Sequence, residues 1–342
     1  MSGETFSKKK VLITGASGFI GSFLVEEAIA QGHIVYAGVR PGSSKQFLQD
    51  SSIRFFNTPL SSKELLEMNF RHFNQKEGGF DYIIHNAGIT RARSKEEFDK
   101  VNHQYTRHLA EALLAAGRPP EKFILISSLA AGGPGSPEGL SSIQMGDADH
   151  PISGYAKSKL NAELFIRSQM QIHPIVVRPT AVFGPRDRDF LTYFRLVSRG
   201  FAPKLGFQSQ RLSFVYVKDL ASAVCRLLAW GEAGQSYIVS DGNSYSEKDM
   251  PAQVRKALGK ASVGITVPLA PVRAAVFCLD NIYSLFGRMP FLHSEKLREI
   301  TSPNWACDST ALWKLIKSKP RYDLESGIKE TALWYKRNGW LN

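Results

Sequence analysis

The sequence predicts an α/β protein with a doubly wound parallel sheet and a smaller, mostly helical lobe towards the C-terminus. Short apolar runs alternate with amphipathic helical patterns in the first half of the chain, and this rhythm changes after Arg178. Repeated strand, helix, strand units require parallel strands covered on both faces, because each crossover returns the chain in the same direction. With 342 residues, 43% of them hydrophobic, the chain is long enough to bury a large core.

Eight apolar runs have the length and composition of buried strands. Six lie in the alternating region, at 11–13, 34–39, 53–56, 82–84, 123–126 and 175–177. Two more follow the change of rhythm, at 214–217 and 237–239, and the remaining sequence is mostly helical.

Composition and charge exclude several classes of protein. The three cysteines contain no C-x-x-C pair, which argues against a thiolate zinc site, and we predict no metal. The net charge of +12 is scattered and accompanies no nucleic-acid-binding motif, so we expect no nucleic-acid partner. Residues 1–10 lack the apolar core of a signal peptide, and Arg273 and Asp280 interrupt the apolar stretch 268–287. We therefore expect a cytoplasmic protein without a membrane span, in which 268–287 forms an amphipathic helix.

Three glycines mark the turn from the first predicted strand into the first helix. Gly15 permits a tight turn, Gly18 lets the backbone approach a pyrophosphate, and Gly21 allows close packing of helix on strand. Free N–H groups at the helix N-terminus attract the anion. The spacing alone is a weak signal, but its position between a strand and an amphipathic helix predicts a dinucleotide site.

The end of the second strand indicates which dinucleotide binds. An NAD site usually has a carboxylate here, which binds the ribose hydroxyls. This sequence has Arg40, followed by Ser43, Ser44 and Lys45. A guanidinium group suits a 2′-phosphate. We therefore predict NADP(H) as the preferred cofactor and NAD(H) as the alternative.

A Tyr-x-x-x-Lys pair and a serine at a strand end form the predicted catalytic set. Tyr155 and Lys159 lie one turn apart on one face of a helix. Ser128 follows the run 123–126, at the sheet edge where ligands bind in doubly wound folds. Tyrosine has an ordinary pKa of about 10, so we expect Lys159 to favour the tyrosinate and to hold the nicotinamide ribose. Tyr155 would then exchange the substrate proton, while Ser128 hydrogen-bonds the reacting oxygen.

These pieces, in this order, resemble the extended short-chain dehydrogenase/reductases, the group named for NAD-dependent epimerases and dehydratases. The resemblance covers nearly the whole chain and rests on segments 14–21, 85–88, 101–102, 127–128, 155–159, 178–187, 214–221 and 307–341. It implies an NADP(H)-binding Rossmann domain formed by residues 1–178 and 211–240. Residues 179–210 and 241–342 would then form the substrate-binding lobe.

The resemblance also implies further residues of the cofactor site. Besides the glycines, Arg40, Tyr155 and Lys159, these are Ser17, Phe19, Ile20, Leu60, Ala87, Gly88, Pro179 and Val182. Leu60 falls at the adenine, and the backbone from Pro179 to Val182 falls at the nicotinamide carboxamide. Asn102 is implied to support the active site, and a homodimer through the helices flanking Tyr155 would suit the resemblance.

We expect two other polar residues to have structural rather than catalytic roles. We expect His85 to fill the cofactor cleft rather than carry protons. Asp219 is expected to cap the helix that begins at Leu220.

Three hypotheses about activity remain open. The first is an NADP(H)-dependent oxidoreductase that transfers hydride at a carbinol or carbonyl carbon of a small substrate. Segments 39–41, 178–179 and 212–217 resemble the dihydroflavonol reductase and 3β-hydroxysteroid dehydrogenase branch. The second is an NAD(P)-dependent sugar-nucleotide epimerase, weakened by Ala181 where those enzymes usually carry asparagine. The third is a non-catalytic cofactor-binding sensor. The apolar segment 267–291 would cover a hydrophobic substrate, form a dimer contact or pack in the core.

Overall fold

A seven-stranded parallel sheet forms the centre of the protein, in a computed structural model that describes residues 8–138, 141–290 and 292–341. The strands, in chain order, are β1 (Lys10–Thr14), β2 (Ile34–Val39), β3 (Arg54–Asn57), β4 (Tyr82–His85), β5 (Lys122–Ile126), β6 (Pro174–Pro179), β7 (Ala181–Phe183), β8 (Phe201–Leu205), β9 (Arg211–Leu212), β10 (Phe214–Tyr216), β11 (Ser236–Val239), β12 (Tyr245–Ser246), β13 (Val263–Val267) and β14 (Asn304–Trp305). All eight predicted runs are strands.

The central sheet has the order β11-β6-β5-β4-β1-β2-β3, and every neighbouring pair is parallel. This arrangement confirms the predicted fold class. The order reverses between β1 and β4, so the crevice at their carboxyl ends is the place where a doubly wound sheet binds its ligand. The run at 214–217 has a different place, because β10 pairs with β7 in a separate two-stranded sheet.

Helices cover both faces of the sheet. They are α1 (Phe19–Ala30), α2 (Lys63–Glu77), α3 (Lys95–Phe98), α4 (Tyr105–Ala115), α5 (Gly154–Ser168), α6 (Asp189–Ser198), α7 (Val217–Trp230), α8 (Asp249–Leu258), α9 (Leu269–Ser284), α10 (Ser294–Thr301), α11 (Thr310–Leu315) and α12 (Leu324–Arg337). A π-helix, Asp99–Gln104, joins α3 to α4, and short 3₁₀ helices cover Leu129–Ala131 and Met170–Ile172.

Three apolar clusters account for most of the core. One lies between the sheet and the helices α1 and α7, and a second lies between the opposite face and the helices α2, α4 and α5. A third joins α6, α8 and α12 around Phe194 and Tyr335. Within the described residues, no helix is both long and apolar enough to cross a membrane.

The prediction that Asp219 caps a helix is wrong. Helix α7 begins at Val217, two residues before Asp219, and the buried Asp219 carboxylate accepts hydrogen bonds from the backbone N–H groups of Arg321 and Tyr322. The carboxylate therefore ties α7 to the segment before α12. A sequence pattern could not indicate this role, because the partners lie about a hundred residues away.

Candidate active site

The glycine turn brings β1, α1 and the end of β4 close together. Gly15 has φ +65°, and a Cβ atom there would lie 2.8 Å from the Cα atom of Ala87. A Cβ atom on Gly21 would lie 2.1 Å from the carbonyl oxygen of Gly15. Both positions therefore require glycine, and the backbone of this turn packs without side chains between its parts.

The N-terminus of α1 fits an anionic group. Gly18 is the N-cap residue, and in the described structure no side chain caps the helix and no acidic residue stands in its first turn. Its first N–H groups and the positive end of the helix dipole are therefore available to a phosphate. Ser17, Phe19 and Ile20 are partly exposed beside this position.

Arg40 lies directly after β2 and exposes its side chain. Among the described residues, its guanidinium group has no hydrogen-bond or ion-pair partner. Lys45, further along this loop, lies over the ring of Phe55, with its Nζ atom 3.9 Å from the ring centroid. The chemistry of Arg40 therefore fits a phosphate supplied from outside the chain.

Leu60 follows β3 and packs its side chain into the core below α2 and α4. Its carbonyl oxygen lies 3.0 Å from Nδ1 of His108. The predicted contact of Leu60 with adenine stays a prediction.

His85 connects β1, β4 and α4 through its ring. The ring is fully buried, and its nitrogens hydrogen-bond the hydroxyl groups of Thr14 at 2.7 Å and Thr106 at 2.9 Å. Burial, with a smaller contribution from the Lys159 ammonium, lowers the pKa of His85 to about 3. The imidazole is therefore neutral at physiological pH and holds three elements together.

Asn102 fixes the segment that follows β4 against α5. Its Oδ1 atom accepts a hydrogen bond from the N–H of Ile89 at 2.8 Å, and its Nδ2 atom donates to Ser158 Oγ at 3.0 Å. A Cβ atom on Gly88 would lie 2.9 Å from Asn102 Oδ1 and 3.1 Å from Lys159 Nζ. Gly88 therefore lies directly beside the predicted catalytic lysine.

Tyr155 and Ser128 meet at the carboxyl edge of the sheet. Helix α5 begins with Ser153 as N-cap, which places Tyr155 in the first turn, and Ser128 stands two residues after β5. The Ser128 hydroxyl lies close enough to Tyr155 to influence the ionisation of the tyrosine. Burial raises the pKa of Tyr155 to about 12, against the opposing effect of Ser128, and the Glu299 carboxylate adds to the rise. The tyrosine is therefore protonated at neutral pH.

Lys159 lies one turn further along α5 and is buried. Its ammonium group donates a hydrogen bond to the carbonyl oxygen of Ile126 at 3.0 Å. Burial lowers the pKa of Lys159 to about 8, and Glu163 opposes this shift. The expected lowering of the Tyr155 pKa by Lys159 is not found here, because the ammonium group faces Ile126 and burial dominates at the tyrosine.

A buried ionic network supports this segment from behind. The Glu163 carboxylate accepts hydrogen bonds from Ser127 Oγ and from Arg178, whose Nη2 atom lies 2.7 Å away. Arg178 also donates to Asp149 at 2.8 Å. Ser127 directly precedes Ser128, so the network holds the end of β5 against α5 and β6. None of these three charged residues was predicted to support the site.

Only part of this network had a readable signal. Arg167 also donates a hydrogen bond to Glu163, at 3.1 Å. Glu163 and Arg167 continue the four-residue spacing of Tyr155 and Lys159, and residues at this spacing lie on one face of a helix. A polar stripe on a helix that faces the sheet predicts buried partners. Asp149 had no comparable signal, since it lies in an irregular segment that only the fold brings to Arg178.

A cleft of about 790 Å³ opens in front of Tyr155. It brings together six residues predicted for the site: Phe19, Ile20, Ser128, Tyr155, Pro179 and Val182. The glycines, Arg40, Leu60 and Lys159 are not part of its lining. Most other lining side chains are apolar and include Phe98, Leu129, Phe190, Leu212, Phe214, Met289, Pro290, Ile300 and Trp305.

Helix α10 contributes Lys296 and Glu299 to the polar part of the cleft, and no pattern in the sequence places this helix here. Glu299 accepts a hydrogen bond from Ser153 Oγ, and Glu295 accepts one from the N–H of Gly154 at 2.7 Å. These bonds tie α10 to the start of α5. Asp187 also lines the cleft, and burial raises its pKa to about 7.

This fold and this site define an extended short-chain dehydrogenase/reductase. The profile of the NAD dependent epimerase/dehydratase family matches residues 11–240, and the chain belongs to that family. It is therefore an enzyme of the oxidoreductase type that uses a nicotinamide cofactor.

Comparison with known proteins gives relatives of the same length. A ceramide reductase from Caulobacter vibrioides (strain NA1000 / CB15N) is 29% identical over 340 residues, which cover 98% of each chain. A UDP-glucose 4-epimerase from Vibrio cholerae is 26% identical and covers 96% of each chain. The crystal structure of gox2253 shares the fold, with a TM-score of 0.80, 23% identity, and coverage of 98% of this chain and 100% of that one.

Proposed function

We propose that this enzyme is an NADP(H)-dependent oxidoreductase that interconverts a ketone and a secondary alcohol on a substrate with a large apolar part. The observation that carries the proposal is the placing of Ser128 and Tyr155 together in one cleft with mainly apolar lining. The ceramide reductase from Caulobacter supports it, because that relative is a reductase named for a lipid and aligns over nearly its full length.

Arg40 supports NADP(H) over NAD(H). Its guanidinium group is exposed directly after β2, where an NAD site usually has a carboxylate, and it is not engaged by another described side chain. A bidentate contact with a 2′-phosphate would satisfy it. The uncapped N-terminus of α1 would hold the pyrophosphate.

In the proposed reaction, Tyr155 donates a proton to the carbonyl oxygen. Its pKa of about 12 keeps the hydroxyl protonated at neutral pH, so it is prepared to act as the acid in the direction of reduction. Ser128 hydrogen-bonds the same oxygen and orients it. The nicotinamide, when bound, exchanges hydride with the reacting carbon.

Lys159 would position the cofactor and keep a proton close to Tyr155. With a pKa of about 8, its ammonium group is mostly protonated at pH 7 but loses the proton at mildly alkaline pH. Lys159 Nζ lies close to Gly88, so this positive charge is beside the segment that would bind the cofactor. We therefore expect the rate of reduction to fall as the pH rises through about 8.

Sugar-nucleotide epimerisation is the second candidate, favoured by the relative from Vibrio cholerae. Against it stands Ala181, which lines the cleft and offers no amide at a position where such enzymes usually carry asparagine. An epimerase would also turn over a nucleoside diphosphate sugar with no added cofactor.

Calorimetric titration with NADPH and NADH, followed by a screen of NADPH oxidation with ketones and aldehydes, tests the proposal. We expect Arg40→Ala to weaken NADPH binding about tenfold or more and to leave NADH binding unchanged. Arg337→Ala, which removes an exposed arginine near the end of α12, serves as the control and should change neither. Tighter binding of NADH by the wild type, or turnover of a nucleoside diphosphate sugar without added cofactor, would overturn the proposal.

A further inference from the structure

Helix α9 exposes large apolar side chains to solvent. We define the α9 surface as Phe277, Leu279, Ile282, Leu285 and Phe286, on the helix and the turn after it. Phe277 is 65% exposed, Leu285 83% and Phe286 74%. Among the described residues of α9, only Val276 is buried. A helix that is apolar around most of its circumference is normally covered by protein or lipid.

The neighbouring strands extend this apolar character. Strand β13 leads directly into α9 and pairs with β8 in a separate two-stranded sheet. This small sheet exposes Phe201, Val263 and Ile265, and the following loop exposes Phe207. Exposed apolar side chains are common singly, but such a concentration in two connected elements indicates an interaction surface.

The α9 surface leads into the catalytic cleft. Leu285 and Phe286 are followed within four residues by Met289 and Pro290, which line the cleft in front of Tyr155. Ile300 from α10 also lines the cleft. A long apolar molecule with its carbonyl group at Tyr155 could therefore leave the cleft past Met289 and Pro290 towards α9.

Basic residues flank the apolar segment. Between residues 260 and 288 the chain has three basic residues, Lys260, Arg273 and Arg288, and one acidic residue, Asp280. The Asp280 carboxylate accepts hydrogen bonds from the backbone and side chain of Ser294. An apolar helix face flanked by positive charge is the pattern of a helix that lies in the surface of an anionic bilayer.

We propose that the α9 surface docks on an anionic lipid bilayer and that the substrate is an amphipathic lipid ketone or alcohol, drawn from that bilayer past Met289 and Pro290. The substrate half of this inference rests on the proposed function. A second copy of the chain fits the surface less well. A symmetric interface would bring both sets of basic residues together, with one acidic residue on each side.

Sedimentation with vesicles tests the docking without catalysis. We expect the wild type to sediment with vesicles of phosphatidylglycerol and phosphatidylcholine in equal parts. The triple variant Phe277→Ser, Leu285→Ser, Phe286→Ser should bind these vesicles at least tenfold more weakly. The control triple variant Leu65→Ser, Met68→Ser, Leu164→Ser removes three other exposed apolar side chains, from α2 and α5, and should bind like the wild type.

A charge variant gives a second arm that keeps the apolar side chains. Arg273→Gln with Arg288→Gln should weaken binding to the anionic vesicles about tenfold and should not change binding to pure phosphatidylcholine. Equal effects on both kinds of vesicle would contradict the electrostatic part of the proposal.

Activity assays separate this inference from the proposed function. The α9 triple variant should reduce a short, soluble ketone at the wild-type rate and a vesicle-bound lipid ketone at least tenfold more slowly. Vesicle binding without reduction of any ketone would support docking and contradict the proposed function. Ketone reduction by a wild-type enzyme that does not bind anionic vesicles would overturn docking. Docking would also be overturned if the wild type were a dimer that binds no vesicles and the α9 triple variant were a monomer.

Discussion

The cofactor side of the sheet and the α9 surface differ in how their side chains are satisfied. Around the ends of β1 and β4, the buried polar side chains Thr14, His85, Asn102 and Thr106 all hydrogen-bond one another or the backbone. On α9, large apolar side chains face solvent with nothing of this chain over them in the described residues. The first region is completed by the chain itself. The α9 surface would be covered by a partner from outside the chain. We therefore expect the lipid to be recognised at α9 and the reaction to take place at the sheet.

Removal of the Tyr155 hydroxyl should give the largest effect and tests whether the chemistry lies at the sheet. Tyr155→Phe keeps the ring in its packing but deletes the proton donor, so kcat for ketone reduction should fall by about 10²- to 10⁴-fold. The Kd for NADPH should stay within a factor of two or three, as measured by calorimetry. The matched variant Phe98→Leu alters the neighbouring ring, whose centroid is 5.8 Å away, and should change KM more than kcat. Undiminished turnover by Tyr155→Phe would remove the tyrosine from the mechanism.

Disruption of the ionic network behind the site should give the next largest effect. Arg178→Met leaves the fully buried Glu163 carboxylate without its main partner, and loss of one member of a buried pair costs about 3 to 5 kcal/mol. Urea unfolding would measure this loss as a lower midpoint.

The control for this variant is an exposed pair. Lys256→Met breaks the contact with Glu325 on the surface, where an ion pair contributes about 1 kcal/mol or less. Similar losses for both variants would show that the region behind Tyr155 is less tightly integrated than its hydrogen bonds indicate.

Local patterns made the cofactor side predictable. The glycine turn, the strand at 123–126 and the Tyr155 and Lys159 pair each lie within a single element and its boundary, where spacing determines which side chains share a face. The sequence therefore predicts the strands and places Ser128, Tyr155 and the glycine turn at one edge of the sheet. The structure places them there.

Residues that depend on tertiary neighbours escaped prediction. Glu299 reaches Ser153 from 146 positions along the chain, and Asp219 binds backbone groups before α12. The pKa of Tyr155 was also misjudged, because the direction in which Lys159 points is set by the carbonyl of Ile126. For 268–287 the pattern predicted a helix and left its covering open, since amphipathicity does not say what an apolar face meets.

A methyl group in the glycine turn would test how closely the cofactor side is packed. On Gly21 it would lie 2.1 Å from the carbonyl oxygen of Gly15, so α1 must move away from β1. We expect Gly21→Ala to weaken NADPH binding at least tenfold and to lower the free energy of unfolding by about 1 to 3 kcal/mol. Gly264→Ala in β13 is the control, because nothing lies within 4 Å of the added atom. NADPH binding that is the same in the two variants would argue against a tightly packed turn.

The smallest expected effect concerns pH and the His85 ring. Since burial lowers its pKa from an ordinary value of 6.5 to about 3, the unfolded chain binds a proton between these values that the folded chain does not. Folding stability should therefore fall as the pH is lowered through 6.5, by at most about 1.4 kcal/mol per pH unit from this residue. His85→Gln removes the titrating group and can retain hydrogen bonds to Thr14 and Thr106.

Comparing wild type with His85→Gln separates the effect of His85 from that of groups whose contribution to stability changes with pH in the opposite direction. The raised pKa of Asp187 means that the folded chain holds an extra proton below about 7, which makes folding more favourable as the pH falls. This contribution is present in both proteins and cancels in their difference. The free energies of unfolding of wild type and His85→Gln, measured by urea at pH 7.5, 6.5, 5.5 and 5, should converge as the pH falls because only the wild type loses stability through this ring. If the free energies of unfolding of the two proteins changed in parallel with pH, the ring would take up its proton equally well in the folded protein. Water would then reach His85, although its hydrogen bonds indicate a closed site.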